Sequence, residues 1–382
     1  MPGRLDRFSA RGALPRREFI KRASLAAVGA AAGLGAGPVK AQEAEPVTVN
    51  GLPGAVLGRT GLKVTRISFG GIMITEPRVL VRAIEQGINL AHLAPGYQDH
   101  RSLEAFGRAL KNRRHKVIIA IKEWPEKIDA SLKAMHTDYV DILVPPIQEI
   151  NLVDNPAYQE NFEKARQAGK VGFMGFACHK SMTGILDTAR RNGSYDVVLL
   201  SYANADNPEF IASARAASQA GIGIMTMKGM PEKITLNSST PDFETCAALC
   251  SAMVRRQHAH TVLASMGSFQ VVDMFLDILR THLGYVNTEL ERRFWASRKG
   301  RYCSMCGACT GVCPAGVEIT RILRYRMYYR DYDLAGYARS CYGKLGDGSD
   351  GSACLECGRC EAICTRSLPI REMIREAYST LA

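Results

Sequence analysis

The chain has 382 residues, 46% of them apolar and 23% charged, with 12 cysteines and a formal charge of +12. That much apolar material fills one large core and a second small domain, which excludes a disordered chain or a disulfide-stapled miniprotein. No run of about 18 strongly apolar residues occurs, which excludes a multi-span membrane protein and leaves no transmembrane helix in the mature chain. The positive charge suggests nucleic acid at first. Residues 1–41, however, hold eight Lys/Arg against two Asp/Glu, so +6 lies there and +6 in the rest. Metal clusters on the cysteines described below would add negative charge, so nucleic-acid binding is rejected.

Residues 1–41 read as an export signal. Arg4, Arg7, Arg11, Arg16 and Arg17 make a basic start, and Ala23 to Gly37 is a weakly apolar Ala/Gly stretch. Val39-Lys40-Ala41 offers a cleavage site, and no Cys follows to carry a lipid. Arg16-Arg17-Glu18-Phe19-Ile20-Lys21 resembles the twin-arginine consensus. This implies passage through the twin-arginine translocase as a folded, cofactor-loaded protein, and a periplasmic or otherwise exported location.

Residues 42–295 are expected to form one domain. Eight β-rich apolar runs alternate with amphipathic helical stretches: Arg66–Gly70, Asn89–Ala94, Val117–Lys122, Tyr139–Val144, Gly172–Cys178, Val197–Tyr202, Ile222–Lys228 and Thr261–Ser265. Alternating strands and helices imply a parallel sheet, and eight units predict a closed (β/α)8 TIM barrel. No G-x-G-x-x-G follows the first run, which argues against a Rossmann domain.

Several segments resemble the aldo/keto reductase family. Leu57-Gly58-Arg59-Thr60-Gly61-Leu62-Lys63-Val64 is similar to its opening hairpin. Gly87-Ile88-Asn89 with Ala94 and Tyr97, the strand ending in Lys122, and Asp138-Tyr139-Val140-Asp141 follow in the family's order. Gly221 to Met225 with Met227-Lys228 resembles a late strand. The resemblance implies a family-type barrel, with Tyr97 and Lys122 as the proton-donating Tyr and its supporting Lys. It also implies Lys228 as a cofactor-binding position, and Tyr202 either as a ring stacked on the cofactor or as a residue that fills the mouth.

The family's chemistry is incomplete here. Its Asp position reads His92, its His position reads Pro146, and its Ser-Asn nicotinamide grip reads Ala177-Cys178. NADP(H) is therefore doubted as a cofactor. Tyr97, Lys122 and His92 stand open as structural remnants, as an altered redox or acid/base site, or as part of an NADPH-dependent carbonyl reductase. Cys178 with His179 raises a metal site against a buried thiol beside a loop His. Cys246 and Cys250 read as core residues, and Cys341 is unassigned.

Residues 296–382 carry the densest signal. Cys303, Cys306, Cys309 and Cys313 are followed by Pro314, and Cys354, Cys357, Cys360 and Cys364 repeat the same spacing. Two such runs resemble the bacterial ferredoxin motif for two [4Fe–4S] clusters, in which the fourth Cys of each run serves the other cluster. That pairs Cys303, Cys306, Cys309 and Cys364 on one cluster, and Cys354, Cys357, Cys360 and Cys313 on the other. Zinc sites present two spaced pairs instead, and disulfides are disfavoured by export in the folded state. A small α+β ferredoxin-like domain is expected. Forty residues separate Cys313 from Cys354, including Arg321, Arg324, Arg326, Arg330 and Arg339 among Tyr325, Tyr328, Tyr329, Tyr332 and Tyr337. They read as a helical pair packing the small domain on the barrel with Arg outside, or as a face for an acidic partner.

The combined expectation is an exported iron–sulfur oxidoreductase. Its clusters would exchange electrons with a redox partner protein or small-molecule carrier and with a site near Tyr97, Lys122 and His92. The alternative outside enzymology is an electron carrier or assembly partner with a non-catalytic barrel.

Overall fold

A computed structural model describes residues 46–231, 243–255 and 258–382. Residues 1–41, expected to be an export signal, lie outside them. Eight parallel strands close into a barrel. They are β4 (Ile67–Gly70), β5 (Leu90–Leu93), β6 (Ile118–Ile121), β7 (Val140–Leu143), β8 (Val171–Cys178), β9 (Val197–Ser201), β10 (Gly223–Met227) and β11 (Thr261–Ser265). Each falls on one of the eight apolar runs of the sequence. Barrel strands are covered on both faces, so they appear as near-continuous apolar stretches.

A helix follows each strand: α1 (Pro77–Glu85), α2 (Arg101–Leu110), α3 (Ile128–Ala134), α4 (Pro156–Gln167), α5 (Met182–Asn192), α6 (Pro208–Gln219), α7 (Phe243–Arg255) and α8 (Phe269–Asp277). Their starts are written locally. At α6, Pro208 opens the helix and the Asn207 side chain accepts from the Glu209 and Phe210 amides. α1 buries Val79, Leu80, Ala83 and Ile84, the helical stripe that faces the barrel.

The floor is sealed by β1 (Thr48–Val49), β2 (Leu52–Val56) and β3 (Lys63–Thr65), a small antiparallel sheet. Leu57 and Val64 from this hairpin are fully buried among the inward residues of the barrel strands. Gly58 sits at φ +52°, and a Cβ there would lie 2.3 Å from the Gly223 amide nitrogen, so only glycine fits. With the bottom plugged, the open end is the C-terminal rim of the strands.

Residues 46–382 form one compact unit, so barrel and cysteine-rich region share a packed boundary. After α9 (Thr288–Arg298) come α10 (Ile319–Asp331), α11 (Ala335–Tyr342), α12 (Arg359–Ala362) and α13 (Ile370–Leu381). The expected α+β character of this region is not seen: residues 296–382 form helices and loops, and no strand. The cysteine runs are short irregular loops, and the intervening segment is Arg/Tyr-rich helix with its own apolar stripe. Ile322, Leu323, Ala338, Tyr342, Ile370 and Ile374 make its core, and the barrel's Ala94 and Tyr97 join that core.

Polar contacts lock the boundary. Arg366 Nη1 donates to Asp206 Oδ2 at 2.7 Å, and Nη2 donates to the Ala203 carbonyl at 3.3 Å. The Ser181 amide donates to the Cys306 carbonyl at 3.4 Å. The Arg residues of the insert are not all outside. Arg326 and Arg330 pair with Glu376, while Arg324 is half-buried and directed at the barrel rim.

Candidate functional site

Strand alternation decides which side chains reach the barrel mouth. In β5, Leu90 points into the barrel, so His92, two residues on, also points inward and higher. In β6, Ile118 and Ala120 point inward, which places Lys122 at the rim on the same line. In β8, inward Ala177 puts His179 at the mouth. Lys228 breaks the rhythm of β10 with φ +62°, which turns its side chain over the opening. Tyr97 lies on the loop after β5, where the next three residues, Gln98, Asp99 and His100, all have φ between +52° and +71°. Such conformations are costly for non-glycine residues and are kept where the surroundings enforce them. Here the Gln98 side chain donates to the Ile72 carbonyl.

These residues line an inner pocket with about 490 Å³ of free space, part of it open to solvent. Lys122 Nζ lies 3.4 Å from Tyr97 Oη. The His92 and Tyr97 rings meet edge-on at 6.1 Å. α10 closes the opposite side with Tyr328, whose ring centre is 5.4 Å from Lys228 Nζ. A wider vestibule of about 1870 Å³, also open to solvent, runs between the rim and α10. Tyr97, Lys122, His179 and Tyr328 line both spaces, and Arg324 and Met305 line the outer one.

The electrostatics follow from burial among cations. His92 is pushed down to about 3 by desolvation and by Lys122. His179 lies well below its usual range, through desolvation and then Lys228, Lys122 and Arg324. Both imidazoles are therefore neutral. Lys122 is lowered to about 8, by desolvation first and then Arg324. The Tyr97 phenol is raised by burial and by Tyr328, so it stays protonated. Tyr97 is thus a fixed hydrogen-bond donor, and Lys122 Nζ is the group that exchanges a proton near neutral pH.

Two expected positions fall elsewhere. Tyr202 follows Ser201 at the end of β9 and points outward. It is fully buried, packs edge-on against Phe210 at 5.2 Å, and lines neither the inner pocket nor the vestibule. Cys178 is likewise outward and fully buried, its thiol directed at the Lys180 carbonyl at 2.9 Å. Ala177 and Pro146 are bridged as neighbours in the wall. His179, Arg324 and Tyr328 were not singled out for the mouth. The strand parity of His179 carried that information, whereas the placement of α10 is a tertiary fact.

Among the described residues, no three His, Cys, Asp or Glu side chains converge tightly enough to grip a single metal ion. A four-iron cube offers a separate corner to each thiolate, so its ligands stand farther apart than those of one ion. The cysteines do gather in two sets. The Cys303 thiol is raised to about 12 by burial, and Cys309, Cys306 and Cys364 press on it with like charge. The Met305 amide donates to Cys303 Sγ at 3.3 Å, and the Leu368 amide to Cys364 Sγ at 3.5 Å. Cys313, Cys354, Cys357 and Cys360 line a separate pocket with about 340 Å³ of free space. Soft thiols gathered in this way are the donor chemistry that iron–sulfur ligation uses.

The first cysteine loop also touches the barrel site. Met305, next to Cys306, places its Sδ 3.5 Å from Lys228 Nζ. Gly307 lies against Lys180, whose Cβ would be 3.2 Å from any side chain there.

Comparison with known proteins matches residues 75–228 to the aldo/keto reductase family and residues 302–368 to the 4Fe-4S dicluster domain. An uncharacterized oxidoreductase, YqkF, of Bacillus subtilis (strain 168) is 29% identical over 146 residues, which are 32% of this chain and 47% of that protein. The chain thus spans about half the length of that curated relative. Among solved structures, the holo form of an aldo-keto reductase from Bacillus halodurans is 17% identical, with 63% of this chain and 99% of that one aligned at a TM-score of 0.49. An aldo-keto reductase from Klebsiella pneumoniae in complex with NADPH is also 17% identical, with 64% and 94% aligned at 0.49. The chain carries an aldo/keto reductase domain in its barrel and a 4Fe-4S dicluster domain at its C-terminal end.

Proposed function

We propose that this is an exported iron–sulfur oxidoreductase that passes electrons between an outside redox partner and a substrate held at the barrel mouth. The observation that carries this reading is the contact of Met305, in the first cysteine loop, with Lys228 of the inner pocket. Cys303, Cys306, Cys309 and Cys364 would hold one [4Fe–4S] cluster, and Cys313, Cys354, Cys357 and Cys360 a second. When bound, they supply one-electron transfer. Tyr97 donates a hydrogen bond into the pocket, Lys122 Nζ exchanges the proton, and α10 limits access of water.

Free NADPH is not the electron source in this reading. His92 and Pro146 replace the groups that support the family's hydride chemistry, and Ala177 and Cys178 are fully buried, without a side chain to grip an amide. Tyr328 and Arg324 from α10 stand over the mouth. The partner is a redox protein or a small electron carrier of the periplasm, reached through the twin-arginine route.

The test is rapid mixing of dithionite-reduced, cluster-loaded protein with small oxidised carbonyl compounds, following the visible absorbance of the clusters. Reoxidation that slows in Tyr97→Phe and Lys122→Met is expected. Reoxidation only by artificial acceptors, unchanged in both variants, would make the chain an electron carrier. Micromolar NADPH binding, or cluster reduction by NADPH alone, would restore the nicotinamide-dependent reductase.

A further inference from the structure

We propose that the inner pocket takes a small carboxylate, its anionic end held between Lys122 and Lys228 with His179 beside it. This inference rests on the mouth being the reacting site, and it names the class of molecule bound there. Three observations support it independently of the clusters.

First, among the described residues the charged side chains lining the inner pocket are Lys122 and Lys228. The family's carboxylate beside the lysine is replaced here by His92, so Lys122 faces a neutral imidazole where the family has an anion. Arg324 adds to the field from the vestibule.

Second, the pocket leaves polar atoms unsatisfied. His92 and His179 are each 4% exposed, and His92 Nε2 and both ring nitrogens of His179 have no hydrogen-bond partner. Buried polar atoms are almost always paired, so a cluster of unpaired ones facing a pocket marks a missing ligand. Each neutral imidazole keeps one N–H to donate, and a carboxylate accepts from several donors at once.

Third, Lys122 is held in a state that an anion would relieve. The groups around it are Tyr97, His92, His179 and Lys228 from the barrel, and Arg324, Tyr328 and Cys341 from the insert, with Glu123 and Glu318 farther out in the vestibule. Its amino group sits low because burial and Arg324 oppose its charge. A carboxylate within hydrogen-bond reach offsets that repulsion, so binding above neutrality takes up a proton.

The probe is pyruvate, with pyruvamide as its uncharged counterpart. Both are titrated calorimetrically into oxidised, cluster-loaded protein in buffers of different ionisation enthalpy. Pyruvate should bind at least about tenfold tighter than pyruvamide, the scale of one charge-assisted hydrogen bond. Its binding should take up a proton at pH 8 to 9. Lys122→Met should weaken pyruvate about tenfold or more and abolish the proton uptake, while Lys122→Arg keeps most of the affinity. Equal affinity for the two probes, or unchanged proton uptake in Lys122→Met, overturns the proposal. So does binding of chloride or phosphate with none of pyruvate. If uncharged carbonyls reoxidise the reduced clusters while pyruvate neither binds nor reacts, the carboxylate is refuted and the reacting site stands. If pyruvate binds as expected but nothing reoxidises the clusters through the pocket, the redox reading fails and the anion site stands.

Discussion

Asp206→Ala removes the partner of Arg366 and tests how firmly the cysteine-rich region is locked to the barrel. The two side chains are 11% and 33% exposed, with Arg366 the more buried. Fully exposed ion pairs contribute about 0–1 kcal/mol, whereas breaking a buried pair costs about 3–5 kcal/mol. Asp206 is one-third exposed, which discounts the upper figure, and Arg366 keeps its hydrogen bond to the Ala203 carbonyl. An intermediate loss of about 2–3 kcal/mol is expected. With an unfolding entropy of roughly 2.1 cal/mol/K per residue, a unit of this length should lose roughly 3–4 °C in midpoint. The assay is anaerobic scanning calorimetry of the cluster-loaded protein at one fixed scan rate. Arg366→Met and the double variant complete the cycle. A double variant equal to the sum of the singles within about 0.5 kcal/mol would show that the pair contributes nothing, and the reasoning would fall.

Cys309→Ser should lower bound iron from about eight to about four per chain, by the two-cluster spacing, while Cys341→Ser leaves iron unchanged. Iron and acid-labile sulfide assays decide it, and zinc in their place would remove the cluster assignment. Replacing Arg16 and Arg17 with Lys should strand loaded protein in the cytoplasm; unchanged export, read by fractionation, removes the twin-arginine route. Lys122 lies near 8 in the folded chain against 10.5 in the unfolded one, so between these values the unfolded state binds more protons. Stability should therefore rise with pH across about 8 to 10.5, and Lys122→Met should lose that slope in denaturant titrations.

The barrel was legible because its strands are buried on both faces and its helices carry one apolar stripe each. Both periods survive in the bare chain, down to the placement of all eight strands. Of the mouth residues, Tyr97, His92 and Lys122 were reached through the family resemblance, and for His92 and Lys122 the phase with inward neighbours at the carboxyl ends of their strands agrees with it. Tyr202 misled because its residue type suggested a ring to stack on, although its parity along β9 places it outside the barrel. Tyr328 and Arg324 were visible as part of a helical insert, but local patterning carries no record of where a helix docks. The Arg/Tyr composition of α10 pointed equally to an outer face and to an inner one. The missing strands of the C-terminal region have a similar origin. Cysteine spacing specifies the ligand loops and says nothing of what joins them.

The wall over the mouth is tied down at both ends. α10 and α11 lie between Cys313 and Cys354, and both of these thiols face the same small pocket. If these cysteines hold a cluster as proposed, the metal clamps both ends of the segment that carries Tyr328 and Arg324 over Tyr97 and Lys122, in addition to its own apolar core. On the proposed reading, loading the metal sites and completing the chamber at the barrel mouth are then coupled through this one stretch of chain.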